Sequence, residues 1–348
     1  MKFSNIFFLA SIILILNCVE QKNNNIEVVT NFPEPIDLKE EIILEDQFGN
    51  FFIKPLDSLL LLSTIQLDSL YHVYNEDLYK IGVFGKIGPG PDELLIPYHI
   101  YDNTNSSVFI FDAQLLKLKE IDLTLSIDSS RIIVKREINL PREFIGLREI
   151  FYLDKANLIG IYDDHIHQRI DSKKGIVIYN FQKDEYDIIE LINFKLNPYD
   201  RTEQININSR TPVLSRNNNK LALISVHAPL LEIIDINTKE KRNFILEEDS
   251  KLDLEYPLSE FIDMNLIQYY VFATANDDNI YLLYRGSNEL TAPDNFYIKV
   301  ITWDGIPIEQ YKVNGNLDIS MISIDVNENY IYAISFNNDE IYRFKLDN

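Results

Sequence analysis

Asn276-Asp277-Asp278-Asn279 runs straight into Ile280-Tyr281-Leu282-Leu283-Tyr284: a polar turn, then five apolar or aromatic residues without interruption. Asn and Asp tolerate left-handed backbone and hydrogen-bond their own main chain, so they favour turns. An unbroken apolar run of this length, bounded by such a turn, reads as a strand buried on both faces. The same two-part pattern recurs along the chain. Asp57-Ser58 precedes 59–62, the stretch 102–107 precedes 108–111, 154–157 precedes 158–162, 217–220 precedes 221–224, and 327–329 precedes 330–334. The apolar runs begin at 59, 108, 158, 221, 280 and 330, in steps of 49, 50, 63, 59 and 50 residues. Six units emerge, two of them lengthened by insertions.

Each unit holds further strands. Val73-Tyr74 leads into Asn75-Glu76-Asp77, 176–179 into Asn180, Ile233-Ile234 into 235–241, and Val300-Ile301 into Trp303-Asp304-Gly305. These read as hairpins between a third and a fourth strand. Sustained helical periodicity is confined to 259–272 and 191–197, which are expected to be helical. Four strands per unit at this spacing is the rhythm of a β-propeller. The expected fold class is therefore all-β: a six-bladed β-propeller of four-stranded blades, occupying residues 26–348. An open β-solenoid or a pair of sandwiches is the alternative. The last unit stops at 341–346, after its third strand, while strand-like segments at 26–29 and 36–44 precede the first complete unit. An N-terminal strand completing the last blade would close the ring and hide a sheet edge.

Between the first two units lies Gly85-Lys86-Ile87-Gly88-Pro89-Gly90-Pro91-Asp92-Glu93-Leu94. A phosphate cradle is not the reading: Pro89 and Pro91 lack N–H donors, Asp92 and Glu93 repel anions, and no helix start follows. Together with Leu78-Tyr79-Lys80-Ile81-Gly82 before it and Pro97 after it, this segment resembles the blade junction of the six-bladed, TolB-like β-propeller lipoproteins of Bacteroidetes. NHL-type propellers share the blade rhythm. The family pattern runs as a strand ending in Lys-Ile-Gly, then Gly-x-Gly-Pro-Gly-Glu and an aromatic residue. This chain inserts Pro91-Asp92 before Glu93 and places Leu94 in the aromatic slot. The resemblance implies the fold and a lipid-anchored address, with Gly85, Gly88, Pro89, Gly90 and Glu93 as the signature positions.

The N-terminus supports that address. Lys2 precedes an uninterrupted apolar and small-residue run at 6–16, and the hydrophobicity stops at Asn17-Cys18. Eleven helical residues rise about 16 Å, too short for a bilayer core of about 30 Å, so a secretory h-region is the better reading. The single cysteine of the protein falls at the cleavage point. This resembles a bacterial lipoprotein signal, with Ile15 at the apolar position and Asn17 departing from the usual small residue. Residues 1–17 then form the signal peptide, Cys18 carries the acyl chains, and 18–25 is a polar tether. The expected location is the bacterial cell envelope, anchored at the outer membrane.

Composition narrows the function. The 348 residues carry 54 acidic and 32 basic side chains, a net charge of −22. Such a surface repels nucleic acid and anionic headgroups, so membrane contact is left to the acyl chains. One cysteine makes neither a disulfide nor a thiolate zinc site. Of the five histidines, His72, His99, His165, His167 and His227, only His165 and His167 are spaced to share a strand face. Beside Asp163 and Asp164 they could hold a transition metal, but a polar inserted loop is the favoured reading. The Asn/Asp clusters lack EF-hand spacing and read as hairpin turns. No Gly-x-Ser-x-Gly elbow is present. Trp303-Asp304-Gly305 reads as a hairpin turn with Trp303 between blades. No catalytic residue, metal ligand or cofactor is assigned. The leading expectation is a non-catalytic binding or scaffold module for a protein, peptide or glycan, working through the insertions at 163–174 and 195–210. The alternative is a lactonase- or lyase-like enzyme with Ca²⁺ in a central channel.

Overall fold

The computed structural model describes residues 26–346, apart from 47–48, 66–67, 91, 100–107, 146, 163–174, 201–202, 248–251, 326, 328 and 336–337. The signal segment, Cys18, the tether, Pro91, and the 163–174 insertion with His165 and His167 lie outside the described residues.

Six antiparallel meanders form the ring. Blade 1 comprises β4 (Asn50–Leu56), β5 (Leu59–Thr64), β6 (Tyr71–Asn75) and β7 (Lys80–Phe84). Blade 2 has β8 (Pro97–His99), β9 (Val108–Asp112), β10 (Lys117–Ile121) and β11 (Val134–Asn139). Blade 3 has β12 (Leu147–Tyr152), β13 (Asn157–Tyr162), β14 (Gly175–Asn180) and β15 (Glu185–Glu190). Blade 4 has β17 (Arg210–Leu214), β18 (Lys220–Ser225), β19 (Leu230–Asp235) and β20 (Lys241–Ile245). Blade 5 has β22 (Ile267–Ala275), β23 (Asn279–Asn288), β24 (Asn295–Thr302) and β25 (Pro307–Asn314). Blade 6 has β26 (Ile319–Ile324), β27 (Tyr330–Ser335) and β28 (Glu340–Lys345), completed by β3 (Glu40–Leu44). The repeated apolar run is thus the second strand of every blade. It is buried against a neighbouring blade on each side, which is why it reads as a continuous run.

The ring closes as expected: β3 pairs antiparallel with β28, Arg343 opposite Glu41. The N-terminal segment does more than close it. β1 (Ile26–Val28) adds in parallel to β20, and β2 (Ile36–Asp37) adds in parallel to β25. Residues 26–44 therefore form a strap over the outer edges of blades 4, 5 and 6 in turn. Each contact carries one ion pair: Glu27 with Arg242 at 2.9 Å, Asp37 with Lys312 at 3.6 Å, and Glu41 with Arg343 at 2.7 Å. Covering an outer strand in this way removes an open edge.

An up-and-down meander places the first-to-second and third-to-fourth hairpins on one face of the ring, hereafter the turn face. The remaining connections lie on the opposite, loop face. Turn-face hairpins are closed by side-chain acceptors. Asp154 takes the N–H groups of Ala156 and Asn157, Asn276 those of Asp278 and Asn279, and Asp235 those of Asn237 and Thr238. These Asn/Asp clusters are turn chemistry, as expected. Trp303 donates its Nε1–H to the Asn276 carbonyl at 3.0 Å and packs with Phe244 between blades 4 and 5. The turn that follows needs glycine: Gly305 has φ +82°, and a Cβ there would lie 2.2 Å from the Phe244 ring.

Two helical expectations are corrected. In 259–272 only the Leu258–Ile262 stretch is helical; from Ile267 the chain is β22, paired with β23. The Tyr269-Tyr270-Val271-Phe272 run suits a strand, and the cross-strand partners overrule a short helical period. Residues 191–197 hold no helix; they end in β16 (Lys195–Asn197), which pairs in parallel with β21 (Glu255–Pro257). Two α-helices among the described residues were not anticipated, Glu203–Asn206 and a longer one in blade 2. Leu123–Ser129 sits in the last hairpin of blade 2, with the Asp122 carboxylate accepting from Leu125 N–H at its start. It covers the outer strand of blade 1, where a Cβ on Gly82 would meet Ile127 at 2.6 Å.

Candidate functional site

The first strands of blades 4, 5, 6 and 1 touch in succession, β17 on β22, β22 on β26 and β26 on β4, and so line the central channel. Phe52, Val213, Phe272, Thr274, Met321 and Ser323 on these strands line a small cavity there, with buried Lys54 as the charged side chain among the lining residues. This cavity offers about 40 Å³, room for a few waters at most. A channel Ca²⁺ would need six to eight oxygen ligands. The residues lining the cavity include no Asp, Glu or Asn side chain to supply them. These residues do not fit the calcium site that the enzymatic alternative requires.

The Gly-Pro loop folds around its own acid. Gly90 N–H donates to Glu93 Oε2 at 2.7 Å, and Leu94 N–H donates to the Lys86 carbonyl at 2.9 Å. A Cβ on Gly88 would lie 2.3 Å from that same Glu93 oxygen, and one on Gly90 would lie 2.8 Å from Cδ. Gly85 has φ +83° and lies against Tyr71. Beyond the loop, the buried Asp112 carboxylate accepts Leu95 N–H at 2.9 Å and Ile96 N–H at 3.3 Å. Leu94, in the aromatic slot, is wholly buried. Gly85, Gly88, Gly90 and Glu93 thus shape the blade junction; Glu93 is turned inward. Gly88→Ala and Glu93→Ala are each expected to cost about 1 kcal/mol by displacing or deleting that hydrogen bond. The double variant should cost clearly less than the sum, because both act on one contact; urea unfolding of the four proteins checks this.

Two connections on the loop face build a cap over blade 4. The first, 191–209, leaves blade 3; the second, 246–266, leaves blade 4. Joined by the β16–β21 pair, they enclose Phe194, Leu196, Ile207, Tyr256, Leu258 and Phe261. A buried ion cluster anchors the cap. Glu232, with a fully buried side chain, accepts from Arg210 Nε at 3.1 Å, from Lys241 Nζ at 3.0 Å and from Ile192 N–H at 3.0 Å. Arg210 also donates to the carbonyls of Ile192 and Asn208. The Asn208 amide clasps Phe194 from both sides, accepting its N–H at 2.8 Å and donating to its carbonyl at 3.0 Å. Of the segment 195–210 singled out in sequence, these residues are scaffold for the cap.

His227 lies beneath the cap, edge-on to Phe261 at 5.2 Å. Burial lowers its pKa to about 4, against a smaller opposing contribution from a hydrogen bond to the Ile267 backbone. The folded state therefore resists protonation that the unfolded chain, near 6.5, accepts. Stability is unaffected above pH about 6.5 and is lost progressively as the pH falls toward 4, by about 2 kcal/mol after allowance for partial exposure. His227→Phe is expected to flatten that part of the stability–pH profile, measured by urea unfolding at several pH values. His72 is also buried, with Nδ1 3.4 Å from Lys80 Nζ; burial and that ammonium lower its pKa. His99 belongs to β8.

Sequence reasoning missed one cluster. In the cleft between blades 4 and 5, Glu247 accepts from Tyr270 Oη and from Lys299 Nζ, the latter at 2.7 Å. The Lys299 ammonium lies 4.3 Å from the Tyr284 ring centre and 5.0 Å from that of Phe32 on the strap. Burial raises the pKa of Tyr270 and of Tyr284, with the Glu247 charge adding to it. The aromatic box is filled by the protein's own lysine, so the cluster fastens strap, cap and blade together. Phe32, Glu247, Tyr270, Tyr284 and Lys299 come from separate segments, and no spacing in the chain announces their meeting.

The sequence matches no protein-family model and no curated protein. Similar solved structures include a DUF4221-family protein of Bacteroides vulgatus, with 11% identity, TM-score 0.63, and coverage of 91% of this chain and 99% of that one. A protein of Bacteroides fragilis named as exported is similar at 12% identity and TM-score 0.55, covering 93% and 99%. Streptogramin B lyase is similar at 10% identity and TM-score 0.50, covering 89% and 98%. At these identities the likeness is one of fold, the propeller. No helix among the described residues is long and apolar enough to cross a membrane.

Proposed function

We propose that this propeller is a non-catalytic binding or scaffold module of the bacterial cell envelope, held to the outer membrane by acyl chains on Cys18 and recognising a partner through its loop face. The observation that carries the reading is the contrast between a small channel-side cavity lined by no carboxylate and a loop face built up by the blade 4 cap. A calcium-dependent channel enzyme needs converging carboxylate and amide side-chain oxygens, and the residues lining this cavity include neither. Recognition instead belongs to loops positioned by a rigid frame.

Chain direction supports a matching orientation. β20 runs from the turn face to the loop face, and β1 is parallel to it. β1 therefore begins at the turn face. An acyl anchor on Cys18, eight residues before Ile26, spans at most about 28 Å. It would hold the turn face toward the membrane and leave the loop face pointing outward.

Two measurements test this. Cys18→Ala should abolish palmitate labelling and release the protein from the membrane fraction; retention in that fraction would remove the lipid anchor from the reading. A photo-crosslinking residue at Tyr199 on the loop face should give partner adducts in cells, and one at Tyr79 on the turn face should not. Adducts from Tyr79 alone would overturn the assignment of the binding face.

A further inference from the structure

Six large apolar side chains on the loop face, Tyr199, Leu254, Ile262, Met264, Ile267 and Leu290, are 43–69% exposed. The fold draws them onto one area. The β16–β21 pair sets Tyr199 and Leu254 at the two ends of the same small sheet. The short helices Glu203–Asn206 and Leu258–Ile262 touch, which brings Ile262 and Met264 beside that sheet. Ile267 is paired with Asn288, so Leu290 lies next to it. A gathering of exposed apolar side chains of this kind on an otherwise charged protein marks an interaction surface.

The charges around the patch select what can cover it. Between 252 and 270 the chain has four carboxylates, Asp253, Glu255, Glu260 and Asp263, and no lysine or arginine, and they outnumber the exposed Lys195 that lies opposite Glu255 across the β16–β21 pair. All four are exposed, and no ion pair among the described residues involves them. We infer that this patch docks a segment of a partner protein in which apolar side chains alternate with lysine or arginine. The apolar residues provide the buried area, and the carboxylates of this segment admit cationic segments while repelling acidic ones. An anionic bilayer surface is repelled by the same carboxylates, and a second copy of this chain would bring like charges against them. The inference rests on the loop-face reading above and gives it a partner chemistry.

The test uses the full chain and fluorescence anisotropy with a labelled amphipathic Leu/Lys peptide and its Leu/Glu counterpart. The Leu/Lys peptide should bind and the Leu/Glu peptide should not. Ile262→Ser with Met264→Ser should weaken binding about tenfold or more, the loss typical of anchoring side chains, and Glu260→Lys with Asp263→Lys should do the same. Glu76→Lys with Asp77→Lys, an equal charge change on the turn face, should leave affinity unchanged. If the turn-face pair weakens binding as much as the loop-face pairs, or if the Leu/Glu peptide binds equally, the proposal fails. Binding to phosphatidylglycerol vesicles that is lost in the loop-face variants would overturn it in favour of a membrane surface. Should Tyr199 crosslink a partner while the peptide does not bind, the module reading stands and only this partner chemistry falls.

Discussion

A chain starting at Glu45, without the strap, is expected to lose its cooperative unfolding transition and to associate through an exposed edge. Without β3, blade 6 is left with three strands, and β28 presents an unpaired edge where Ile42 and Glu41 now lie opposite Tyr342 and Arg343. The apolar contacts of Ile43 and Leu44 with the blade 1 and blade 6 core vanish with it. Adding a synthetic peptide of residues 38–46 should restore a folded, monomeric species, seen by circular dichroism and sedimentation. Removing only residues 26–37 should be far milder. It takes away two short rim strands, the Glu27–Arg242 and Asp37–Lys312 pairs and the Phe32 ring beside Lys299, and exposed pairs and single cation–ring contacts contribute at most about 1 kcal/mol each. A Tm lowered by only a few degrees is the expected result. An unchanged melting curve for the chain starting at Glu45 would show that β3 does not hold the ring shut.

The largest effect of a single substitution is expected at Arg210. Arg210→Ala leaves Glu232 in a wholly buried position with Lys241 as its remaining base, and removing one partner of a buried pair costs about 3–5 kcal/mol. It also strips the carbonyls of Ile192 and Asn208 of their donor, so the cap should loosen first. Arg210→Met combined with Glu232→Leu should recover much of the loss, since apolar replacements remove the uncompensated charge as well. Urea unfolding reports the global cost, and hydrogen exchange at 192–208 reports the cap. Equal stability of Arg210→Ala and the parent protein would mean that the cluster is not an anchor.

How far the sequence reached can be judged at particular elements. The second strand of each blade was legible because burial on both sides demands a run such as Leu59-Leu60-Leu61-Leu62, with nothing polar to break it. The Asn and Asp turns were legible because their side chains satisfy the local backbone, which needs no distant partner. At 36–44 one apparent strand proved to be two. Ile36–Asp37 adds to blade 5 and Glu40–Leu44 to blade 6, and the break depends on the spacing of blades rather than on local composition. The Gly-Pro loop was recognisable as a signature, but its reason, Glu93 folded between Gly88 and Gly90, appears only in three dimensions.

The sequence by itself determined the all-β class, the six-unit count and the closing of the last blade from the N-terminal end. Local pattern suffices there, because strand periodicity and turn chemistry are properties of neighbouring residues. Only the tertiary structure decided where Arg210 meets Glu232 and Lys241, how Phe32 and Glu247 come to enclose Lys299, and which apolar side chains the cap leaves exposed. Those meetings join residues up to hundreds of positions apart. Their energies depend on burial and on the distance between charges, and both are set by how the blades pack around the channel.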